Sequence, residues 1–198
     1  NQYPPGRGIP ALRAAIAAHQ SRHYGIDLDP DSEILVTAGA TEAITAAVLA
    51  LAGPGDEVLT LEPYYDSHAA SIAMAGATHT TAPPAPSPDG FRLDLAALET
   101  AITPRTRIIL LNTPHNPTGT VLTRTELEAV ARAAIAADAI VVTDEVYERL
   151  LYDGATHTPI ATLPGMAQRT LTISSAGKTF SLTGWKIGWV SGPARLIE

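Results

Sequence analysis

The feature that most constrains the fold of this chain is a regular alternation of short apolar segments with longer segments of helical pattern. The short segments are apolar at almost every position instead of at every second one. This pattern is typical of strands in a sheet that is buried on both faces. Strands are predicted at residues 33–37, 57–61, 77–82, 107–112, 139–143, 170–174 and 186–190. Helices are predicted at residues 10–24, 41–52, 67–75, 93–101 and 124–137. This alternation predicts an α/β fold of three layers, α/β/α, with a mostly parallel central sheet.

The composition narrows the class of protein. The 198 residues suffice for one domain with its own core, and a hydrophobic share of 45% is ordinary for globular proteins. A net charge of −7 offers no basic surface for nucleic acid or for an acidic membrane. No apolar run approaches the roughly 20 residues that a membrane span needs. The chain has no cysteine, which excludes disulfides and a thiol nucleophile, and we expect a cytoplasmic protein.

The domain organisation is expected to be simple. The proline-rich residues 83–90 are predicted to form a surface loop within one domain, not a linker between two. The chain begins at Asn1 instead of Met and stops shortly after a predicted strand. We therefore expect residues 1–198 to be one large domain that is an incomplete part of a longer protein.

One histidine pair needs a separate interpretation. His19 and His23 lie one helical turn apart, a spacing that some metal sites use. No third ligand accompanies them, so we predict an exposed helix face and no metal site.

Four polar segments follow predicted strands or open the helices after them. In parallel α/β sheets, ligands bind beyond the carboxyl ends of the strands. This rule selects residues 39–41, 112–119, 144–147 and 174–178 as candidate site segments.

Lys178 and Asp144 carry the chemistry that these segments suggest. A strand-end lysine framed by small residues becomes a nucleophile when desolvation or a nearby cation, here Lys186, lowers its pKa. The alternative is a solvated surface charge. Asp144 ends an apolar run, and a buried carboxylate is costly unless it meets a cation such as a protonated ring nitrogen on a cofactor. Tyr147 can turn its phenol toward the same ring. The alternative for Asp144 is a structural ion pair or a helix cap.

Two further segments are candidates for binding the same ligand. Small residues from Gly39 to Thr41 leave backbone N–H groups free at a helix start, where a phosphate binds well, although Thr41 also suits a plain helix cap. Asn116 stands between two prolines in a rigid turn and can present its amide to a ring oxygen. The alternative for Asn116 is a turn residue that bonds its own backbone.

In this order and spacing, residues 112–119, 144–147 and 174–189 resemble the class I/II aminotransferases of pyridoxal-phosphate (PLP) fold type I. The similarity extends over residues 1–192 and is strongest to the kynurenine-type and N-succinyldiaminopimelate-type members. It implies that the chain is the large, PLP-binding domain of such an enzyme. It also implies that Lys178 forms the Schiff base with PLP and then moves the substrate proton. Asp144 then binds the pyridinium nitrogen, and Asn116 and Tyr147 bind the ring hydroxyl.

The resemblance assigns the remaining cofactor contacts as well. The residues that it places around the PLP phosphate are Ala40, Thr41, Ser175 and Lys186. Tyr65 corresponds to the aromatic residue that stacks on the ring, although Tyr64 beside it leaves the register open. Tyr3 corresponds to a tyrosine that reaches the phosphate of the neighbouring subunit, which implies a homodimer. Many relatives have arginine where this chain has Lys186, and lysine lacks the two-pronged arginine fork.

The implied reaction is a ping-pong transfer of an amino group between an L-amino acid and a 2-oxo acid. Relatives carry a C-terminal small domain, with an arginine for the substrate carboxylate, and an N-terminal closing segment that these residues do not include. Three alternatives stay open: a PLP-dependent carbon–sulfur β-lyase, a transcription regulator with a DNA-binding segment before Asn1, and a relic that binds no cofactor.

Overall fold

The chain forms one large mixed sheet with helices on both sides, in a computed structural model that describes residues 3–88 and 90–198. The strands are β1 Ile34–Ala38, β2 Glu57–Leu61, β3 Thr78–Ala82, β4 Pro84–Ser87, β5 Gly90–Leu93, β6 Thr106–Asn112, β7 Ile140–Asp144, β8 Thr170–Ser175 and β9 Ile187–Ser191. The helices are α1 Pro10–Tyr24, α2 Ala40–Leu51, α3 Asp66–Ala75, α4 Leu95–Ala101, α5 Arg124–Ala136, α6 Ala176–Thr179 and α7 Ala194–Ile197.

The strand order brings most strand ends to one edge. Across the sheet the order is β1-β9-β8-β7-β6-β2-β3. Strand β9 is antiparallel to both of its neighbours, and the other neighbouring pairs are parallel. Because β9 runs against the rest, its first residues lie at the edge where the other strands end. The mostly parallel sheet predicted from the sequence is confirmed.

Side chains that alternate along the strands build a hydrophobic core on each face of the sheet. Ile109 and Val141 belong to the core that includes residues of α4 and α5. Their neighbours Ile108 and Val142 belong to the core that includes residues of α2 and α3. A smaller cluster packs α1 against β1 and β9. The three-layer α/β/α architecture is therefore confirmed.

The start of α5 shows how local sequence sets an element. Thr123 is the N-cap, and its hydroxyl accepts a hydrogen bond from the N–H of Glu126 while the Glu126 carboxylate accepts one from the N–H of Thr123. This capping box satisfies two N–H groups that have no partner inside the helix. The other oxygen of Glu126 accepts from the N–H of Leu93, at 3.0 Å. One carboxylate thus joins α5 to β5.

The prediction of a loop at residues 83–90 is wrong. Residues 84–87 and 90–93 pair as the antiparallel strands β4 and β5, with Pro84 opposite Leu93. The prolines are tolerated because β4 pairs on one side only, so a missing N–H need not break a ladder bond. The next helix starts later than predicted, at Leu95, because Asp94 is its N-cap and accepts from the N–H of Ala97 at 3.0 Å.

Within the described residues, no helix is long and apolar enough to cross a membrane.

Candidate active site

A cleft of about 620 Å³ opens at the sheet edge where β1, β7 and β8 end and β9 begins. Each predicted site residue except Tyr3 lines it. These residues are Ala40, Thr41, Tyr65, Asn116, Asp144, Tyr147, Ser175, Lys178 and Lys186. The segments that the strand-end rule selected therefore meet at one edge of the sheet, and the fold brings together residues up to 146 positions apart in the sequence.

Both lysines of the chain line this cleft. The sequence contains lysine only at Lys178 and Lys186, whereas its other basic side chains are arginines and histidines spread along the chain. This signal is visible in the sequence and was not used in the predictions above. A primary amine is the one cationic group that can form a covalent bond with a carbonyl, so the position of both amines in one cleft favours a carbonyl ligand.

The turn between β1 and α2 has the form of an anion site. Gly39 is the N-cap of α2 with φ 84°, a conformation that glycine adopts easily and other residues avoid. No side chain of the described residues caps α2, so the first N–H groups of the helix are available to bind a ligand. Thr41 lies inside the helix, and the alternative that it caps α2 is wrong. Glu42 accepts from the N–H of Ala38 and so turns back onto the end of β1.

Lys186 faces this turn from the start of β9. Its backbone is left-handed, with φ 52°, although it is not a glycine. Such a conformation persists where the surrounding structure requires it. Its Cδ lies 4.0 Å from the point where a Cβ on Gly39 would stand. The lysine stem therefore lies beside the helix start, where its positive charge adds to that of the helix dipole.

Asp144 is buried, and it sits between the backbone of its own turn and a buried histidine. Its Oδ1 accepts from the N–H of Val146 at 3.2 Å, and its Oδ2 lies 3.9 Å from Nε2 of His68. That nitrogen has no hydrogen-bond partner among the described residues. Sequence reasoning missed His68, although its spacing of three from Tyr65 is typical of residues on one face of a helix start.

The turn that carries Asn116 is held by a second asparagine. Oδ1 of Asn112 accepts from the N–H of Asn116 at 2.7 Å, and Nδ2 of Asn112 donates to the carbonyl of Asp144 at 3.0 Å. Asn112 is buried at the end of β6. It thereby fixes the Asn116 turn to the end of β7, and the Asn116 side chain lines the cleft.

Lys178 and Tyr147 meet across the cleft. The Nζ of Lys178 lies 5.6 Å from the centroid of the Tyr147 ring, within the range of a cation–π contact. Lys178 is in the single turn of α6, directly after β8, and its side chain is exposed in this chain. An exposed amine at the mouth of a cleft is accessible to a ligand that enters it.

The two adjacent tyrosines point to different places. Tyr65 lines the cleft, and its ring stands edge-on to His68 with centroids 5.9 Å apart. Tyr64 instead contacts His79, with ring centroids 4.6 Å apart. The structure therefore favours Tyr65 as the residue that can stack on a ring in the cleft. Tyr3 is fully exposed and outside the cleft of this chain.

A second group of ionisable residues, which was not predicted, lies close to Asp144 in the sequence but outside the cleft. Glu145 and Glu148 are each 1% exposed. Oε2 of Glu145 lies 2.8 Å from Nε2 of His157, and Oε1 of Glu148 lies 3.2 Å from Nε2 of His19. The prediction of an exposed face at His19 is wrong, because this side chain is partly buried against Glu148. No group of three or more metal ligands is found in the part of the chain that the structure describes.

The buried pairs shift the pKa values of their members. Burial alone would lower the pKa of His157, but the charge and the hydrogen bond of Glu145 outweigh it and raise that pKa. Burial would raise the pKa of Glu148, but the hydrogen bond with His19 is the largest of the opposing effects that hold this pKa below its ordinary value. Both shifts favour the charged forms of His157 and Glu148, and their causes lie within the chain.

The family comparison agrees with this geometry. The family model described as aminotransferase class I and II matches residues 1–198. The chain therefore belongs to the class I and II aminotransferase family.

Two curated relatives show which members of the family this chain is similar to. The chain is 60% identical over 197 residues to the probable N-succinyldiaminopimelate aminotransferase DapC of Mycobacterium tuberculosis, and 46% identical over 206 residues to kynurenine–oxoglutarate transaminase 3 of Mus musculus. Each match covers 100% of this chain, but only 50% and 45% of those relatives. The chain thus spans about half the length of the curated relatives that it matches.

Solved structures give the same result. The N-succinyldiaminopimelate aminotransferase structure from Mycobacterium tuberculosis superposes with a TM-score of 0.98 at 60% identity, over 100% of this chain and 51% of that one. Aspartate aminotransferase from Thermus thermophilus, solved with maleate, superposes at 0.93 with 39% identity, over 99% and 50% of the two chains. The fold is thus that of the aminotransferases.

Proposed function

We propose that this domain binds PLP in the cleft and that the protein to which it belongs is an aminotransferase. The observation that carries the proposal is the convergence on one cleft of an amine, a buried carboxylate and a free helix start. PLP has a matching group for each: an aldehyde, a ring nitrogen and a phosphate. The names of the relatives favour amino-group transfer over the β-lyase, the regulator and the relic.

The residues present fit the cofactor. Asp144 has no lysine or arginine partner among the described residues, so a protonated ring nitrogen would supply the cation that a buried carboxylate requires. The helix start at Gly39 and the amine of Lys186 fit a phosphate, together with Ser175. Tyr65 would lie on the ring. When bound, PLP supplies an aldehyde and an electron sink for charge that develops at the substrate Cα.

The protein side chains supply position and proton transfer. We propose that Lys178 bonds the aldehyde and, once displaced by the substrate amine, moves the proton from the substrate Cα. Tyr147, whose ring lies 5.6 Å from this amine, can donate a hydrogen bond to the ring oxygen alongside Asn116. Asp144 holds the proton on the ring nitrogen, since loss of that proton would leave a buried charge without a partner.

A covalent labelling experiment tests the proposal. The full-length protein should be yellow, and borohydride should fix the cofactor to one peptide. Because this domain has only two lysines, the labelled peptide distinguishes Lys178 directly from Lys186. A label on Lys186, or on no lysine of this domain, would refute the assignment.

The substrates are proposed only as a class, an L-amino acid and a 2-oxo acid. The names of the relatives suggest a first panel of N-succinyldiaminopimelate and kynurenine, each with oxoglutarate as the acceptor. A β-thio amino acid belongs in the same panel. Release of pyruvate without transfer of the amino group would identify the carbon–sulfur β-lyase instead. A cytoplasmic location also stays a prediction, which cell fractionation tests.

We further propose a homodimer in which Tyr3 completes the site of the neighbouring subunit. The support is that Tyr3 is fully exposed and lines no part of the cleft in its own chain. A two-fold dimer presents the same surface twice and would place two such sites at one interface. Mixing Lys178→Ala with Tyr3→Phe subunits tests the arrangement, since both defects would fall in one composite site of the hybrid. Hybrids without rescued activity, when Tyr3→Phe alone is impaired, would show that Tyr3 serves its own subunit.

A further inference from the structure

Gly188 occupies an unusual place next to the proposed phosphate site. It is buried in β9, where it pairs with Thr37 of β1 on one side and with Ser175 of β8 on the other. Both neighbouring strands therefore lead from this point into the cleft, β1 through the Gly39 turn and β8 through Ser175.

The backbone of the Gly39 turn lies directly on Gly188. A Cβ added to Gly188 would stand 2.3 Å from the carbonyl carbon of Gly39 and 2.6 Å from the amide nitrogen of Ala40. Ordinary contact begins at 3.4 Å, so the turn would have to move away by about 1 Å. The atoms concerned belong to the backbone, so no side-chain rotation can relieve the clash.

The same turn lies beside Lys186. Lys186 and Gly188 are two residues apart, and the stem of Lys186 reaches the Gly39 turn that Gly188 contacts. The missing side chain of Gly188 is therefore what allows the start of α2 to settle against β9 next to the Lys186 amine. A shift of the turn would separate the helix N–H groups from that amine.

We propose that Gly188 is the positioning residue of the phosphate site. Its lack of a side chain sets the distance between the start of α2 and Lys186, so that both groups act on one phosphate. This inference rests on the proposed function, because it takes the ligand to be PLP.

The test compares two ligands that differ only in the phosphate. Apoprotein of the full-length chain is titrated with PLP and with pyridoxal, for wild type and for Gly188→Ala, and binding is followed by absorbance. We expect the dissociation constant for PLP to rise on the order of 10–100-fold, the value of one or two charge-assisted hydrogen bonds. Binding of pyridoxal should not change. Inorganic phosphate should also compete with PLP less effectively in the variant.

Gly53→Ala is the matched control. Gly53 follows the other end of α2, and a Cβ there would meet no atom within 4 Å. This variant should keep the PLP affinity of wild type. An equal loss of PLP and pyridoxal binding in Gly188→Ala, or an unchanged preference for PLP, would refute the positioning role. A wild-type protein that binds PLP no better than pyridoxal would refute the phosphate site itself, and this inference with it.

A second variant covers the case in which Gly188→Ala does not fold. Gly39→Ala perturbs the same turn through its φ of 84°, which a residue with a Cβ adopts only with strain. The same selective loss of PLP affinity is expected. A Gly39→Ala protein with wild-type preference for PLP over pyridoxal would show that the geometry of this turn does not determine phosphate binding.

Discussion

Residues 144–148 have side chains in two different environments, which we call the cleft side and the buried side. Asp144 and Tyr147 line the cleft. Glu145 and Glu148 are buried on the other side, where each contacts a histidine. The carboxylates of the two sides are thus only one to four residues apart in sequence, but their surroundings differ.

The difference lies in whether the charge is satisfied within the chain. On the buried side, Glu145 and Glu148 each contact a histidine, and the pKa shifts of Glu148 and His157 favour the charged forms of these two residues. Asp144 has an uncharged N–H at 3.2 Å and a histidine nitrogen only at 3.9 Å. Because an unpaired buried charge is costly, we infer that a cationic ligand would stabilise Asp144, whereas Glu145 and Glu148 already contact histidines within the chain. Substitutions on the cleft side should therefore lower turnover. Substitutions on the buried side should instead lower the free energy of unfolding.

The largest effect is expected at the lysine of the cleft. Lys178→Arg keeps the positive charge but removes the amine that can bond an aldehyde, so turnover should fall below detection. Lys186→Arg is the same change 8 positions away and should keep measurable turnover, because arginine also binds phosphate. Steady-state assays of both full-length variants give the comparison. Activity in Lys178→Arg and none in Lys186→Arg would exchange the two roles.

The next effect is expected at Asp144. Asp144→Asn keeps the shape of the side chain but removes the charge that, in the proposed function, would hold the ring nitrogen protonated. Turnover should fall by more than the roughly 100–10,000-fold of an ordinary acid–base contribution, while PLP binding survives in part. The exposed Asp153→Asn is the control and should match wild type. An Asp144→Asn enzyme within about tenfold of wild type would place Asp144 among the merely structural carboxylates.

On the buried side we expect a loss of stability without a comparable loss of chemistry. His157→Ala leaves Glu145 buried and without its cation, which should lower the free energy of unfolding by roughly 3–5 kcal/mol. His23→Ala removes an exposed histidine and should cost no more than about 0.5 kcal/mol. Urea unfolding of the apoproteins measures both. If His157→Ala instead abolished turnover in a stably folded protein, the division between the two sides would be wrong.

The smallest effect is the pH dependence of the same pair. The pKa of His157 is raised in the folded protein, so protonation stabilises the fold. This contribution is complete below the ordinary value of 6.5 and is lost as the pH rises through the raised pKa. The stability difference between wild type and His157→Ala should therefore be larger at about pH 5.5 than at about pH 9. A difference that grows with pH would contradict the charged pair.

Much of the cleft could be predicted from the sequence because Gly39, Asp144 and Ser175 stand at or next to the ends of strands. Tyr65 was instead assigned through the family resemblance. A strand end can be recognised from an apolar run, and the sheet edge then follows from the parallel arrangement. The buried side was not predictable in this way. Glu148 and His19 are 129 residues apart, and no local sequence pattern indicates that α1 packs against residues 145–148. Gly188 is a similar case, because its proposed role depends on the backbone of the turn between β1 and α2, more than 140 residues earlier in the sequence.

The hairpin that β4 and β5 form is a second feature that the sequence did not predict. The prolines of residues 83–90 were interpreted as a loop because proline has no N–H group to donate. That interpretation is valid for a central strand, which pairs on both sides. Within the described residues, β4 pairs only with β5, so it can contain proline. This one-sided pairing cannot be read from the sequence.

The carboxylate of Glu126 has a consequence for how the protein opens. It bonds the cap of α5 through Thr123 and the end of the hairpin through the N–H of Leu93, so one side chain belongs to two elements. Among the residues that the structure describes, β4 and β5 share no strand pairing with the main sheet. Local opening of the hairpin would therefore remove this bond and loosen the first turn of α5. In hydrogen exchange, amides of β5 and of the first turn of α5 should lose protection together, as one cooperative unit separate from the central strands.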